Sequence, residues 1–152
     1  MDQTPVYELV SLDKSRPSYE KLSDSNKFVN KMKEITKEYL NYNKNQINKE
    51  LHPIYYFNNQ QETEEYILYH DDLIPLLKVA PKIIDKYFPE KEQLILEYVP
   101  DSEFDYGELF LYIKTNCTAD EAITNMKNIN QDLFYSEYSK ALPKVIIYVK
   151  FS

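Results

Sequence analysis

Between Phe28 and Tyr42 apolar residues recur at Phe28, Met32, Ile35, Tyr39 and Tyr42, spaced by four and three with Lys and Glu between them. That is the period of one helical face, and it predicts a helix over residues 26–50. In DDLIPLLKVAPKIIDKYFPE, Ile74, Leu77, Ile84 and Tyr87 share a face interrupted by Pro75 and Pro81, which predicts one helix or two short ones stopping at Pro89. The period then changes. QLILEYV (93–99) and GELFLYIKT (107–115) are short runs rich in β-branched and aromatic residues around a polar PDSEFDY segment, and they read as a β-hairpin. In TADE, Thr118 stands as an N-cap with Glu121 three positions on, followed by Ala122, Met126, Ile129 and Leu133. This is a capping box opening a helix that runs to about Leu142 and stops at Pro143. KVIIYVKF (144–151) closes the chain as a third strand.

The order from residue 93 to 152 is therefore β-β-α-β, with the helix crossing over one face of the sheet. Upstream, HPIYYFNNQQETEEYILYHDD fits either a second hairpin of IYYF and EYILYH around a polar loop or a loop and a helix turn, of which the hairpin is the expectation, and residues 1–25 are expected to be an N-terminal arm. The fold class is α+β: a small mixed sheet packed with N-terminal helices, in a single domain spanning 1–152 whose stretch 26–89 is mainly helical.

The hairpin ending in GELFLYIKT, the TADEA helix start and the closing VIIYVKF, after a helix ending in YF, resemble the C-terminal half of a group of small bacterial hypothetical proteins. The likeness covers residues 73–152. It implies the β-β-α-β fold and brings no functional residue with it.

A chain of 152 residues is long enough to bury a core without staples. No apolar run approaches the length of a membrane span, and the start lacks a basic stretch followed by an apolar one. Cys117 is the only cysteine, which excludes an internal disulfide and multi-cysteine metal or redox sites and suggests a reducing, cytoplasmic setting. The net charge is −7, and the acidity sits in the second part: nine of the 18 basic residues but only eight of the 25 acidic ones fall within residues 1–50. Arg16 is the one arginine, which with the acidity disfavours a duplex-DNA reader.

Four groups of residues have the look of chemistry. The stretch from Asp101 carries acids at its first, third and fifth positions, but Gly107 falls seventh and Tyr112 twelfth, where a calcium loop needs Gly sixth and Glu twelfth. A turn accounts for it, with Gly107, the only glycine, free to take a positive φ. His70, Asp71 and Asp72, with Glu64 and Glu65 nearby, have the residue types of a metal-dependent hydrolase, yet His52 is the only other histidine, and the two aspartates also suit the start of a helix. Cys117 precedes a helix N-terminus without a base near it in sequence. One glycine excludes phosphate-binding loops of the P-loop and Rossmann types.

The fourth group is aromatic: fifteen Tyr and seven Phe. Strand alternation puts Leu109, Leu111 and Ile113 opposite Phe110 and Tyr112, and Val145, Ile147 and Val149 opposite Ile146 and Tyr148. The sheet then has two apolar faces, one for the crossover helix and one either covered by the N-terminal helices or left open. The expectation is a non-catalytic cytoplasmic interaction or accessory module, without a cofactor. Its interface is the closing strand as a sheet edge, with Tyr112, Ile146 and Tyr148 facing a protein partner or a second copy and Lys144 and Lys150 guarding the edge. A hydrolase built on His70 and Asp71, and a single-stranded nucleic acid binder using the aromatic face, are the competing readings.

Overall fold

The structure, a computed structural model, describes residues 18–101, 103 and 107–152, with side chains from residue 26 onward. By internal contacts the chain divides into two units, Met1–Asn41 and Tyr42–Ser152. The described part of the first is helical, the greater part of helix α1 (Ser18–Gln46). The second is an α/β unit whose elements follow in the order β1 (Tyr55–Asn58), α2 (Gln60–Tyr69), α3 (Leu73–Tyr87), β2 (Gln93–Val99), β3 (Glu108–Thr115), α4 (Ala119–Phe134) and β4 (Val145–Phe151).

The four strands lie in the order β1-β2-β3-β4, with β1 parallel to β2, β2 antiparallel to β3, and β3 parallel to β4. The expected α+β class and the C-terminal β-β-α-β unit are both present. Helices α2 and α3 carry the chain from β1 to β2, and α4 carries it from β3 to β4. All three join one core with Leu94, Leu96, Leu109, Leu111, Ile113 and Val149, so they lie on the same face of the sheet. Both crossovers step the same way across the sheet, but the strand pairs they join run in opposite directions. The two are therefore of opposite hand, and one is the uncommon left-handed kind.

The second hairpin is not formed. IYYF does supply β1, but its partner is β2, and EYILYH belongs to α2. Asn59, at φ 47°, turns the strand directly into the helix. Thr63 and Ile67, four apart and both fully buried, form the buried side of α2. The Thr63 hydroxyl donates to the Asn58 carbonyl (2.6 Å) and accepts the Tyr98 N–H (2.9 Å), tying β1, α2 and β2 together at one point.

Helix α3 is continuous despite its prolines. Pro81 has no N–H to give the carbonyl of Leu77, four residues before it, and in a buried helix that acceptor needs another donor. The buried Tyr55 hydroxyl supplies it, 2.7 Å away. Complete burial holds the Tyr55 phenol well above its ordinary pKa, so it remains a donor at every relevant pH.

The capping box of α4 is present in full: the Glu121 N–H donates to Thr118 Oγ1 (3.1 Å), and the Thr118 N–H donates to Glu121 Oε1 (3.0 Å). The helix ends at Phe134, eight residues short of the expected Leu142. There the Ser136 hydroxyl donates to the Leu133 carbonyl (2.7 Å) and accepts the Tyr138 N–H (3.2 Å), turning the chain into a 3-10 segment, Ser139–Lys144. Gly107 is also used otherwise than expected, since its φ is not positive. A Cβ there would lie 2.1 Å from the Val99 carbonyl oxygen and 2.7 Å from the Pro100 Cα, so close backbone approach between β2 and β3 requires glycine.

Candidate interaction surface

Strand register sorts the side chains of the sheet into rows. One face carries Leu94, Leu96, Leu109, Leu111, Ile113, Val145 and Val149, all buried under the helices. On the other face, Tyr56, Ile95, Tyr112 and Tyr148 stand side by side across all four strands. Beside them run Asn58, Glu97, Phe110 and Ile146, and on the opposite flank Gln93, Lys114 and Lys150. No helix of residues 42–152 covers this face. Tyr56 is 55% exposed and Tyr148 60%.

The belt is ordered by its own contacts. The rings of Phe110 and Tyr112 lie parallel with centroids 5.5 Å apart, and Lys150 Nζ sits 5.3 Å from the Tyr112 centroid. Partial burial, with Glu97 and Tyr148 nearby, raises the Tyr112 pKa, so its hydroxyl remains a neutral donor. The Asn58 amide lies 3.4 Å from Glu97 Oε1. The face thus reads as a central aromatic band with carboxylates Glu97 and Glu108 towards one end and ammonium groups Lys114 and Lys150 at the other.

Strand β4 is an edge of the sheet, and among the described residues no strand lies beyond it. Its backbone groups on that side are available to an added strand. Of the two lysines expected to guard it, Lys144 is instead paired with Asp72. Lys150 remains exposed at the far end.

The candidate metal residues are not brought together. His70 packs against the rings of Tyr66 and Tyr69, with centroids at 4.5 and 5.0 Å. Burial and the nearby Lys144 charge lower its pKa against the opposing pull of Asp72 and Asp71. The Asn43 amide reaches Asp71 (3.5 Å), and Asp72 takes Lys144. Asp72 precedes α3 but makes no side-chain cap, so the expected capping role is replaced by the ion pair. His52 is engaged elsewhere, 2.5 Å from Glu64 and stacked on Phe57 at 4.1 Å. Among the described residues no three His, Cys, Asp or Glu side chains are grouped to hold a metal. Cys117 opens on a cleft with Glu121, Asn125 and Tyr87, which contains no histidine to serve as a base.

Tyr56 and Ile95 were not picked out as site residues from sequence. Their signal was the row, which depends on the parallel pairing of β1 with β2. No family model matches this chain, and neither the curated proteins nor the solved structures give a match. Among the described residues no helix is long and apolar enough to cross a membrane.

Proposed function

We propose that the protein is a non-catalytic interaction module, acting in the cytoplasm, that binds an extended segment of another protein along β4 and across the aromatic face. The observation that carries this reading is the coincidence of two features on one side of the sheet. A row of side chains crosses the sheet with Tyr56 and Tyr148 exposed, Tyr112 half-buried and Ile95 buried between them, and it runs out to a strand with an open edge. Backbone pairing along β4 gives affinity, and every second side chain of the added strand lies over Ile146 and Tyr148. Lys114 and Lys150 favour an acidic residue at that end of the partner.

The same surface weighs against the nucleic acid reading. An aromatic sheet face suits base stacking, but a backbone-tracking groove needs several cations, and this face sets Glu97 and Glu108 against two lysines. The hydrolase reading draws less support, because among the described residues His70, Asp71 and Asp72 each contact a different neighbour.

A photo-crosslinking residue placed at Tyr148 in the producing cell tests the proposal, with the same residue at Tyr69, 84% exposed on α2, as control. The expected result is one protein species crosslinked from position 148, absent from position 69 and lost when Ile146→Lys is added. Crosslinks to nucleic acid, or equal labelling from both positions, would overturn it. So would a stoichiometric metal in the purified protein that disappears in His70→Ala.

A further inference from the structure

The cleft that holds Cys117 lies where the end of α3, the end of β3 and the start of α4 meet, and it encloses about 510 Å³. Strand alternation sends Leu109, Leu111, Ile113 and Thr115 to the helix side of β3, where Phe88, 3% exposed, joins the same core from the end of α3. Thr115 is the member of this buried row whose side chain carries a polar atom. It is 5% exposed, and its hydroxyl has no hydrogen-bond partner among the described residues. A buried hydroxyl left unpaired is costly. Thr115 lines the cleft, two residues before the thiol, so a molecule seated there can supply the missing partner.

The rest of the lining decides which molecule. Glu90 and Glu121 are exposed carboxylates, and Glu121 spends Oε1 on the Thr118 cap, leaving Oε2 for another donor. The half-buried Asn125 adds an amide oxygen, and no lysine or arginine lines the cleft. Hydroxyl, amide and carboxylate oxygens are all acceptors, and an ammonium group brings three donors to them. A ligand carrying a carboxylate instead meets like charge.

We propose that Cys117 is a thiol-modification site that takes a small aminothiol, a thiol bearing an ammonium group, as a mixed disulfide. The reaction is exchange with the symmetrical disulfide of that aminothiol, which is the oxidant. The Cys117 thiolate attacks one of its sulfurs, a bond to Cys117 Sγ forms as the original S–S bond breaks, and the second aminothiol leaves as a thiolate that takes up a proton. In the adduct the ammonium donates to Thr115 Oγ1 and to the carboxylates of Glu90 and Glu121. Excess thiol reverses the step, which makes it a transient mark in a reducing compartment.

Intact-mass spectrometry of the full chain tests it, with cystamine and dithiodipropionate as probes, matched in size and opposite in charge. The urea-unfolded chain gives the intrinsic preference of the thiol. The folded protein gains one cysteamine, and Cys117→Ser gains none. Relative to the unfolded chain, folding favours the cationic adduct over the anionic one by about fivefold at equilibrium, the order expected of two exposed carboxylates. Glu90→Gln with Glu121→Gln, which keeps a side chain able to close the capping box, removes that preference. Thr115→Val lowers the cysteamine adduct about tenfold, and Thr115→Ser restores it.

A thiol that reacts only in the unfolded chain would overturn the proposal. So would a preference unchanged by the double Gln variant, or a Thr115→Val protein that takes the adduct as well as the wild type does. Loss of the adduct in Thr115→Ser as complete as in Thr115→Val would show that the hydroxyl has no part in holding it.

Discussion

Helices α1 and α4 carry apolar residues at the same helical spacing and differ in what becomes of them. Ala122, Ile129 and Leu133 of α4 are buried against the sheet. Phe28, Met32, Ile35 and Tyr39 of α1 remain about half exposed or more. Periodicity reports that a helix has a side to bury; it does not name the surface that will cover it. The two faces of the sheet repeat the lesson, since β3 and β4 alternate apolar residues onto both and only one face meets the helices described within residues 42–152. An apolar side left exposed next to one that is buried is where a partner is to be sought.

The contrast is sharpest in truncation of matched residues. Leu133 is fully buried, and Leu133→Ala should cost about 2–5 kcal/mol through lost transfer energy and the cavity left behind. Ile35 is half exposed, and at dilution Ile35→Ala should change the stability of the α/β unit by no more than about 0.5 kcal/mol. Urea unfolding of both variants makes the measurement. Equal costs would break the comparison.

Much of the fold could be read from the chain because its contacts are local. The β2–β3 hairpin, the capping box at Thr118 and the faces of β3 and β4 each follow from neighbours within a few residues. The misread parts depend on distant or polar partners. β1 is four residues long, and its pairing strand begins at Gln93, well beyond the reach of a local pattern. EYILYH resembles a strand until Thr63 is counted as a core residue, and only the acceptor at Asn58 and the donor at Tyr98 make burying that hydroxyl acceptable. The end of α4 was hidden because Phe134, Tyr135 and Tyr138 continue the apolar pattern past the turn that Ser136 makes. On the sheet face away from the helices, the shared side of Tyr112 and Tyr148, and of Phe110 and Ile146, was legible from alternation alone. Tyr56 was not, since its place in the row exists only through the parallel pairing.

A smaller effect separates the helices by their backbones. The carbonyl of Leu77 in α3 is removed from water and depends on the Tyr55 hydroxyl because Pro81 cannot serve it. Tyr55→Phe should therefore cost about 1–3 kcal/mol, the penalty of a buried acceptor left unpaired. In a Pro81→Ala background the new N–H can take the Leu77 carbonyl, so the same Tyr55→Phe change should cost measurably less. A double-mutant cycle by urea unfolding gives the coupling. Additive costs would show that the hydroxyl and the missing N–H are unrelated.

A smaller cost than that of Leu133→Ala is expected at the start of the same helix, α4. Thr118→Ala removes the side-chain acceptor of the Glu121 N–H and should cost about 1 kcal/mol at neutral pH. Its pH dependence identifies the partner. The Thr118 backbone N–H, and after it the hydroxyl, donate to the Glu121 carboxylate and lower its pKa below 4.5. A carboxyl whose folded pKa is depressed adds stability that is present above the unfolded value and is lost as pH falls through the folded one. With Ala at 118 the backbone donor survives and the hydroxyl donor is gone, so Glu121 should titrate closer to its ordinary value. The difference in stability between wild type and Thr118→Ala should therefore be constant from pH 7 down to about 5 and narrow as Glu121 is protonated below that. Thermal unfolding across this range, with the Glu121 carboxyl followed by NMR, reads both quantities. A difference that stays constant to pH 3 would mean that the hydroxyl acts only as an acceptor for the helix and owes nothing to the Glu121 charge.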